Sequence, residues 1–276
     1  MRQHGAMTRQ TGARTSWDAA AYEQFAAHRA RPVEDLLARV RASDPALVVD
    51  LGCGTGASTR PLAARWPNAR VLGVDSSPQM LERARRSDPD GRIEWVEADI
   101  TSWQVPGRPD VVVTNAVLQW VPGHLDLLAG WVQNLAPGGW FALQVPGNAD
   151  APNHTLLRDL VARLPEGPEL TDLLLGKEAT ADAAGYAAAL HAAGCAVDAW
   201  ETTYLHLLDP TGELDNPVLE WMRGTGLRPV LGRLDPAREA DLLDRYAAAL
   251  AASYPRSPMG VALPFRRVFA VGHRRA

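Results

Sequence analysis

Lysine is almost absent from this sequence: of 28 basic residues only Lys177 is a lysine, and the other 27 are arginine. Arginine is the default cation of the chain, so a lone arginine carries little information about a site. Cysteine is nearly as scarce. Cys53 and Cys195 are the only two; they exclude a disulfide framework and match no metal-ligand spacing. A reducing cytoplasm is the compartment that fits them. No apolar run approaches the ~18 residues of a membrane span. The polar stretch Met1 to Ser16, with Arg2, Arg9 and Arg14, lacks the apolar segment of a secretory signal. The expectation is a soluble, non-exported protein with residues 1–16 as a flexible tail. An excess of positive charge is missing too. The net charge is −4, and without a basic stripe neither nucleic acid nor an anionic membrane is an expected partner. A small molecule is.

What remains is ordinary for a globular protein: 46% hydrophobic and 22% charged residues in 276. That length suits one large α/β domain, here placed at 17–276, with a sizeable insertion. Trp17 to Phe25 and Pro32 to Val40 have helical spacing. Strands then alternate with helices. Ala46 to Leu51, Val71 to Asp75, Ile93 to Asp99, Asp110 to Asn115 and Trp140 to Val145 read as buried strands. Helices begin near Ser58 and Ser77 and span His124 to Leu135. Such alternation implies right-handed crossovers and a parallel sheet. Beyond Pro146 the pattern changes. Val197 to Leu208 and Phe265 to His273 read as strands six and seven, pairing antiparallel at the sheet edge. Helices at about 146–190 and 210–260 form a cap, part of it inserted between those two strands.

The segment Val48-Val49-Asp50-Leu51-Gly52-Cys53-Gly54-Thr55-Gly56 is strand, glycine turn, then helix. Such a turn needs positive φ angles and lets a ligand approach backbone without meeting a Cβ atom. Ligands of open α/β sheets sit at the carboxyl ends of these strands. A dinucleotide enzyme would use Gly52, Gly54 and Ala57 with an acidic residue such as Asp75 at the end of strand two, so those positions do not discriminate. Gly56 makes the pattern G-x-G-x-G. The string D-L-G-C-G-T-G resembles motif I of class I methyltransferases, and Leu135-Ala136-Pro137-Gly138-Gly139 resembles their turn before strand five. This resemblance implies a Rossmann-like fold with a seven-stranded, mostly parallel sheet whose last strand is antiparallel. It implies S-adenosylmethionine as cofactor, held by Asp50, Gly52, Gly54, Gly56, Asp75, Ser76, Met80, Asp99, Ile100 and Asn115. Within that set Asp75 would accept from the ribose hydroxyls, Asp99 would meet the adenine amino group, and Asn115 would lie beside the methionine portion.

A closer resemblance extends from about Trp17 to the C-terminus. It rests on Trp17 to Tyr22, Arg29-Ala30-Arg31-Pro32, Asp75 to Met80, Asn115 to Trp120, Ala193-Gly194-Cys195, Trp200 to Tyr204, Thr225 to Pro229 and Phe265 to Phe269. These segments are similar to those of bacterial trans-aconitate 2-methyltransferases; Pro165 to Thr180 is less similar. The family implies O-methylation of a carboxylate of a small polycarboxylic acid. Methylation of a different small molecule is the alternative. An NAD-dependent oxidoreductase is disfavoured by Gly56 and the L-x-P-G-G turn, and a base-amino methylase by the absence of an N-P-P-Y/F pattern after strand four.

A carboxylate is ionised near neutral pH, so its methylation needs positioning and electrostatics and no general base. A tri-anion needs cations, best supplied as bidentate arginines. Arg29, Arg31, Arg228 and Arg267 stand in the family-like segments and are expected to converge on one pocket, against a surface ion pair as the bland reading of each. Tyr204 is a candidate donor, with plain strand packing as its alternative. Trp120 either walls the site or belongs to the core. His206 as a base is disfavoured, because the acceptor needs none. Trp17 and Tyr22 are candidates to close over the cofactor. Cys53 reads as a small packing residue.

Overall fold

The computed structural model describes residues 25–275. The helix expected at Trp17 to Phe25, with Trp17 and Tyr22, lies almost wholly outside them. The first described element is α1 (Ala26–Leu37). It is longer than the helix expected from Pro32 and carries Pro32 in its interior. Burial explains its persistence: Val33, Leu36 and Leu37 pack with Val48, Val113 and Phe269 on one face of the sheet, and such packing outweighs a proline's local cost.

The sheet follows as β1 (Leu47–Leu51), α2 (Thr59–Arg65), β2 (Arg70–Asp75), α3 (Pro78–Arg86), β3 (Ile93–Glu97), β4 (Val111–Asn115), α4 (His124–Gln133) and β5 (Trp140–Pro146). After it come α5 (Pro152–Val161), α6 (Gly167–Thr171), α7 (Ala183–Ala192), β6 (Cys195–Leu208), α8 (Pro217–Arg223), α9 (Pro236–Ser253), β7 (Arg256–Ser257) and β8 (Gly260–Arg274). The strand order is β3-β2-β1-β4-β5-β8-β6. The first five strands are parallel; β8 runs antiparallel between β5 and β6. This is the expected sheet with one addition. The two-residue β7 folds back on the start of β8 and was too short to leave a periodic signal.

The expected ends of β3 and β4 move inward. β3 stops at Glu97, because Asp99 closes a turn onto Thr101. β4 starts at Val111, because the Asp110 carboxylate accepts the N–H groups of Ala46 and Leu47. At the far edge the opposite happens. β6 and β8 pair from Cys195–Arg274 to Leu208–Val261, a ribbon of roughly 45 Å at the usual rise per residue. Its inner half lies in the sheet. Its outer end, with Leu208, Val261, Leu263 and Phe265, enters a second core built by α5, α6, α8 and α9 around Trp221, Met222, Tyr246 and Leu250. The helix α7 instead packs on the sheet: Tyr186 and Leu190 share a cluster with Leu128, Val132 and Ala270. No helix among the described residues is long and apolar enough to cross a membrane.

Candidate active site

The glycine turn lies at the carboxyl ends of β1 and β2, and its three glycines differ in what they require. A Cβ on Gly52 would come within 2.4 Å of Val117, and one on Gly56 within 2.5 Å of Trp95. Both are held small by packing. A Cβ on Gly54 would meet nothing within 4 Å, yet its φ is +55°. Gly54 therefore faces open space in a conformation that suits glycine. That is the property of a cradle for a ligand.

Asp75 ends β2 half-buried and accepts from the Gly54 N–H at 2.9 Å and the Ser77 N–H at 2.8 Å. One carboxylate thus ties the glycine turn to the first turn of α3. Ser76 is exposed beside it, and the Met80 N–H donates to Ser77 Oγ, which caps α3. At the end of β3, Asp99 is exposed and its Oδ1 accepts from both the N–H and the hydroxyl of Thr101; those bonds hold its carboxyl below the usual range. Ile100 is buried against the sheet.

Asp50 is fully buried beneath the turn, where its Oδ2 accepts from the hydroxyls of Ser58 at 2.8 Å and Thr59 at 2.6 Å. Ser58 precedes α2 but does not cap it, because its hydroxyl goes to Asp50 instead. In this geometry Asp50 anchors α2 to the strand end rather than presenting its carboxylate in the groove. Burial pushes its pKa up to about 6, opposed by the Thr59 and Ser58 hydrogen bonds and helped by the nearby Asp75 charge. A carboxyl raised on folding contributes stability that is present below its unfolded pKa and lost as pH rises through the folded one. Asp50→Asn removes this dependence. The stability of the variant relative to the parent is expected to rise by about 2 kcal/mol between about pH 4.5 and 8. Urea unfolding across that range measures it, and a constant difference would contradict the buried ionisation. Burial also pushes the neighbouring Cys53 thiol up, with Asp50 and Asp75 adding to it, so Cys53 is no nucleophile.

A second polar group occupies the sheet face under α1. Asn115 and Gln144 are in register on β4 and β5. Arg267 stands beside them on β8, paired with Pro146. Gln144 is fully buried and Arg267 is 5% exposed. The Arg267 guanidinium donates to Gln144 Oε1 at 3.1 Å and lies over the Phe265 ring at 4.6 Å. Tyr204, on β6, is also buried; its hydroxyl donates to Asp35 Oδ2 at 2.6 Å, and Arg31 lies over its ring at 5.2 Å. Burial, and then the Asp35 carboxylate, push the Tyr204 phenol well up. Two of the four arginines, Arg31 and Arg267, therefore meet around Tyr204. Arg228 is exposed on the cap turn after α8, and the side chain of Arg29 is not among those described. The adjacent Arg266 makes a contrast. It faces the other way and forms a two-bond fork with Glu201 at 2.8 and 2.6 Å, the structural ion pair that is the bland reading of any arginine here.

Rings continue this group toward the cap. His28 lies tilted against His206 at 4.7 Å, and His206 stacks on Trp221 at 5.2 Å. Trp120 is 51% exposed and lines an open groove of about 640 Å³ with Leu125 and Leu173, so its core reading does not hold. Sequence reasoning missed Asp35, His28 and Gln144. Of these only Gln144 left a signal: it is a carboxamide in the middle of the buried run Phe141-Ala142-Leu143-Gln144-Val145, where an amide must find a partner.

The strand order, the antiparallel β8 and the glycine turn after β1 define a class I methyltransferase fold. Residues 48–139 match the methyltransferase domain family. Among solved structures, the YcgJ protein of Bacillus subtilis superposes with a TM-score of 0.56 at 13% identity, covering 89% of this chain and 99% of that one. The phosphoethanolamine N-methyltransferase 2 of Haemonchus contortus, in complex with phosphomonomethylethanolamine and S-adenosylhomocysteine, gives 0.55 at 15% identity, covering 93% and 58%. At such identities these structures speak for the fold alone. Sequence relatives go further. The trans-aconitate 2-methyltransferase of Streptomyces coelicolor is 50% identical over 268 residues, 94% of this chain and 87% of its own length. That of Methylobacterium nodulans is 48% identical over 259 residues, 94% and 98%. The chain belongs to the trans-aconitate 2-methyltransferase family.

Proposed function

We propose that this enzyme transfers a methyl group from S-adenosylmethionine to one carboxylate of trans-aconitate, releasing a monomethyl ester and S-adenosylhomocysteine. The observation that carries the reading is the pairing of two sites at one end of the sheet: an open glycine cradle at Gly54 beside Asp75, and a buried cation at Arg267 beside a carboxamide. The residues present fit the cofactor. Gly54 leaves room against its backbone, Asp75 provides a carboxylate for ribose hydroxyls, and Asn115 has a buried Oδ1 that no donor among the described residues reaches. Ser76, Met80, Asp99 and Ile100 complete the proposed cofactor set, while Gly52, Gly56 and Asp50 shape the turn.

When bound, S-adenosylmethionine supplies a methyl group already activated by its sulfonium. The chain has then to hold one carboxylate oxygen in line with that methyl and keep water away. Arg267 and Arg31 hold the acid by charge, with Arg29 and Arg228 proposed to reach it from α1 and the cap. Tyr204 acts through Asp35 and Arg31, fixing α1 over the sheet, and Trp120 forms part of an outer wall. Residues 1–16 are proposed to lie outside the catalytic domain, and the enzyme to act in the cytoplasm without nucleic acid or membrane.

No general base is required, and the buried histidine nearest the cap turn is a poor one. Burial, and then the Arg158 charge, lower the pKa of His154 to about 4, so it stays neutral near pH 7. The chemical step is therefore expected to be flat with pH from about 6.5 to 8.5, because the acceptor is ionised throughout. A single-turnover rate rising tenfold per pH unit would instead indicate a hydroxyl or amine acceptor. The direct test is methyl transfer to a panel of di- and tricarboxylic acids, with trans-aconitate expected to be the best substrate.

A further inference from the structure

The carboxamide of Gln144 is fully buried, and its two ends are not equivalent. Its oxygen accepts from Arg267 at 3.1 Å. Arginine offers only donors, so the amide cannot be turned the other way without setting N–H against N–H. This fixes Nε2 away from Arg267, and Nε2 is buried with no acceptor among the described residues. A buried donor left without a partner is costly to maintain, and methionine or leucine at this position would avoid the cost. In register with it, Asn115 Oδ1 is buried and also without a partner. Two neighbouring strands thus present one spare donor and one spare acceptor on the same face. A carboxylate accepts only. It is drawn to Gln144 Nε2.

We propose that Gln144 is a specificity-determining residue of this enzyme: its oxygen orients the Arg267 guanidinium, and its nitrogen donates to a carboxylate of the substrate that Arg267 also engages. The inference rests on the acid-methylating reading above and adds the residue that reads one carboxylate. Gln144 and Arg267 together form a composite donor set, the arginine supplying charge and the amide supplying direction.

Kinetics of Gln144→Met and Gln144→Glu with trans-aconitate test this, alongside calorimetry with S-adenosylhomocysteine. Methionine keeps the volume and removes both hydrogen-bonding ends. Glutamate keeps the shape and the acceptor for Arg267, and replaces the donor by an anion. Each variant is expected to raise KM for trans-aconitate at least tenfold, with kcat changed less than threefold and S-adenosylhomocysteine affinity within twofold. Analogues of trans-aconitate lacking one carboxylate give a second readout. For the analogue without the group that Gln144 reads, the ratio of parent to Gln144→Met kcat/KM is expected to fall toward one. A KM within twofold of the parent in both folded variants overturns the role of Gln144. Equal losses in kcat and cofactor affinity do so as well, since they mark a structural residue. Failure of the parent enzyme to methylate any acid overturns the acid-methylating reading itself, which the parent control reports separately.

Discussion

Asp75→Ala is expected to weaken S-adenosylhomocysteine binding by roughly ten- to a hundredfold, the loss that follows from removing a charged hydrogen-bond partner worth ~1.5–3 kcal/mol. The carboxylate sits where β2 delivers it, at the strand end beside a glycine turn, half-buried and already engaged by two backbone N–H groups. Those bonds show that Asp75 does more than wait for ribose. It ties Gly54 to the start of α3, so its removal also loosens the turn that a ligand would lie against. The two effects separate by experiment. Asp75→Asn keeps one carbonyl oxygen able to accept from one of the two N–H groups, but loses the charge and replaces the other oxygen by a donor. Its affinity is expected to fall less than that of Asp75→Ala, while thermal unfolding without ligand shows how far each variant disturbs the turn. Calorimetry giving folded Asp75→Ala an unchanged affinity would remove Asp75 from the cofactor site.

The glycine turn and the parallel strands were legible in the sequence because local rules dictate them. A turn that needs positive φ leaves glycines at Gly52, Gly54 and Gly56, and a buried parallel strand leaves an apolar run such as Val111 to Val113. What the glycine pattern could not reveal is that its members do different jobs, since Val117 and Trp95, which crowd Gly52 and Gly56, lie tens of residues away. The burial of the Asp50 carboxylate was hidden for a similar reason. A motif shows an acidic residue before the turn but not whether it faces the ligand or the helix hydroxyls beneath. The polar group on the sheet face under α1 was less legible. Tyr204 and Asp35 are 169 residues apart, and Gln144 and Arg267 are 123 apart. No local spacing relates such pairs. They meet because β8 inserts between β5 and β6, and because α1 continues through Pro32 across the same face. The reading carries β6 to its outer end at Leu208 but starts β8 at Phe265, because residues 260–264 pack against the cap core instead of the sheet.

Arg267→Ala is the substitution expected to harm substrate binding most, raising KM for trans-aconitate at least tenfold while leaving S-adenosylhomocysteine binding nearly unchanged. Of the 27 arginines of the chain, Arg267 combines burial with a place on the strand that joins sheet to cap. Its guanidinium is held in orientation by Gln144 below and the Phe265 ring beside it, so little order has to be gained when a carboxylate arrives. A charge kept out of water strengthens any anion contact it makes. The neighbouring Arg266 provides the internal control. It is paired with Glu201 by two bonds and faces the opposite side of the ribbon; exposed pairs of that kind are worth little. Arg266→Ala is therefore expected to change KM less than threefold. Adding guanidinium or a small amidine to Arg267→Ala is expected to restore part of the lost activity by filling the vacated volume with a free cation. Equal KM values for the Arg267→Ala and Arg266→Ala enzymes would remove Arg267 from the substrate pocket. The acid would then have to be held from α1 or from the cap, through Arg31 or Arg228.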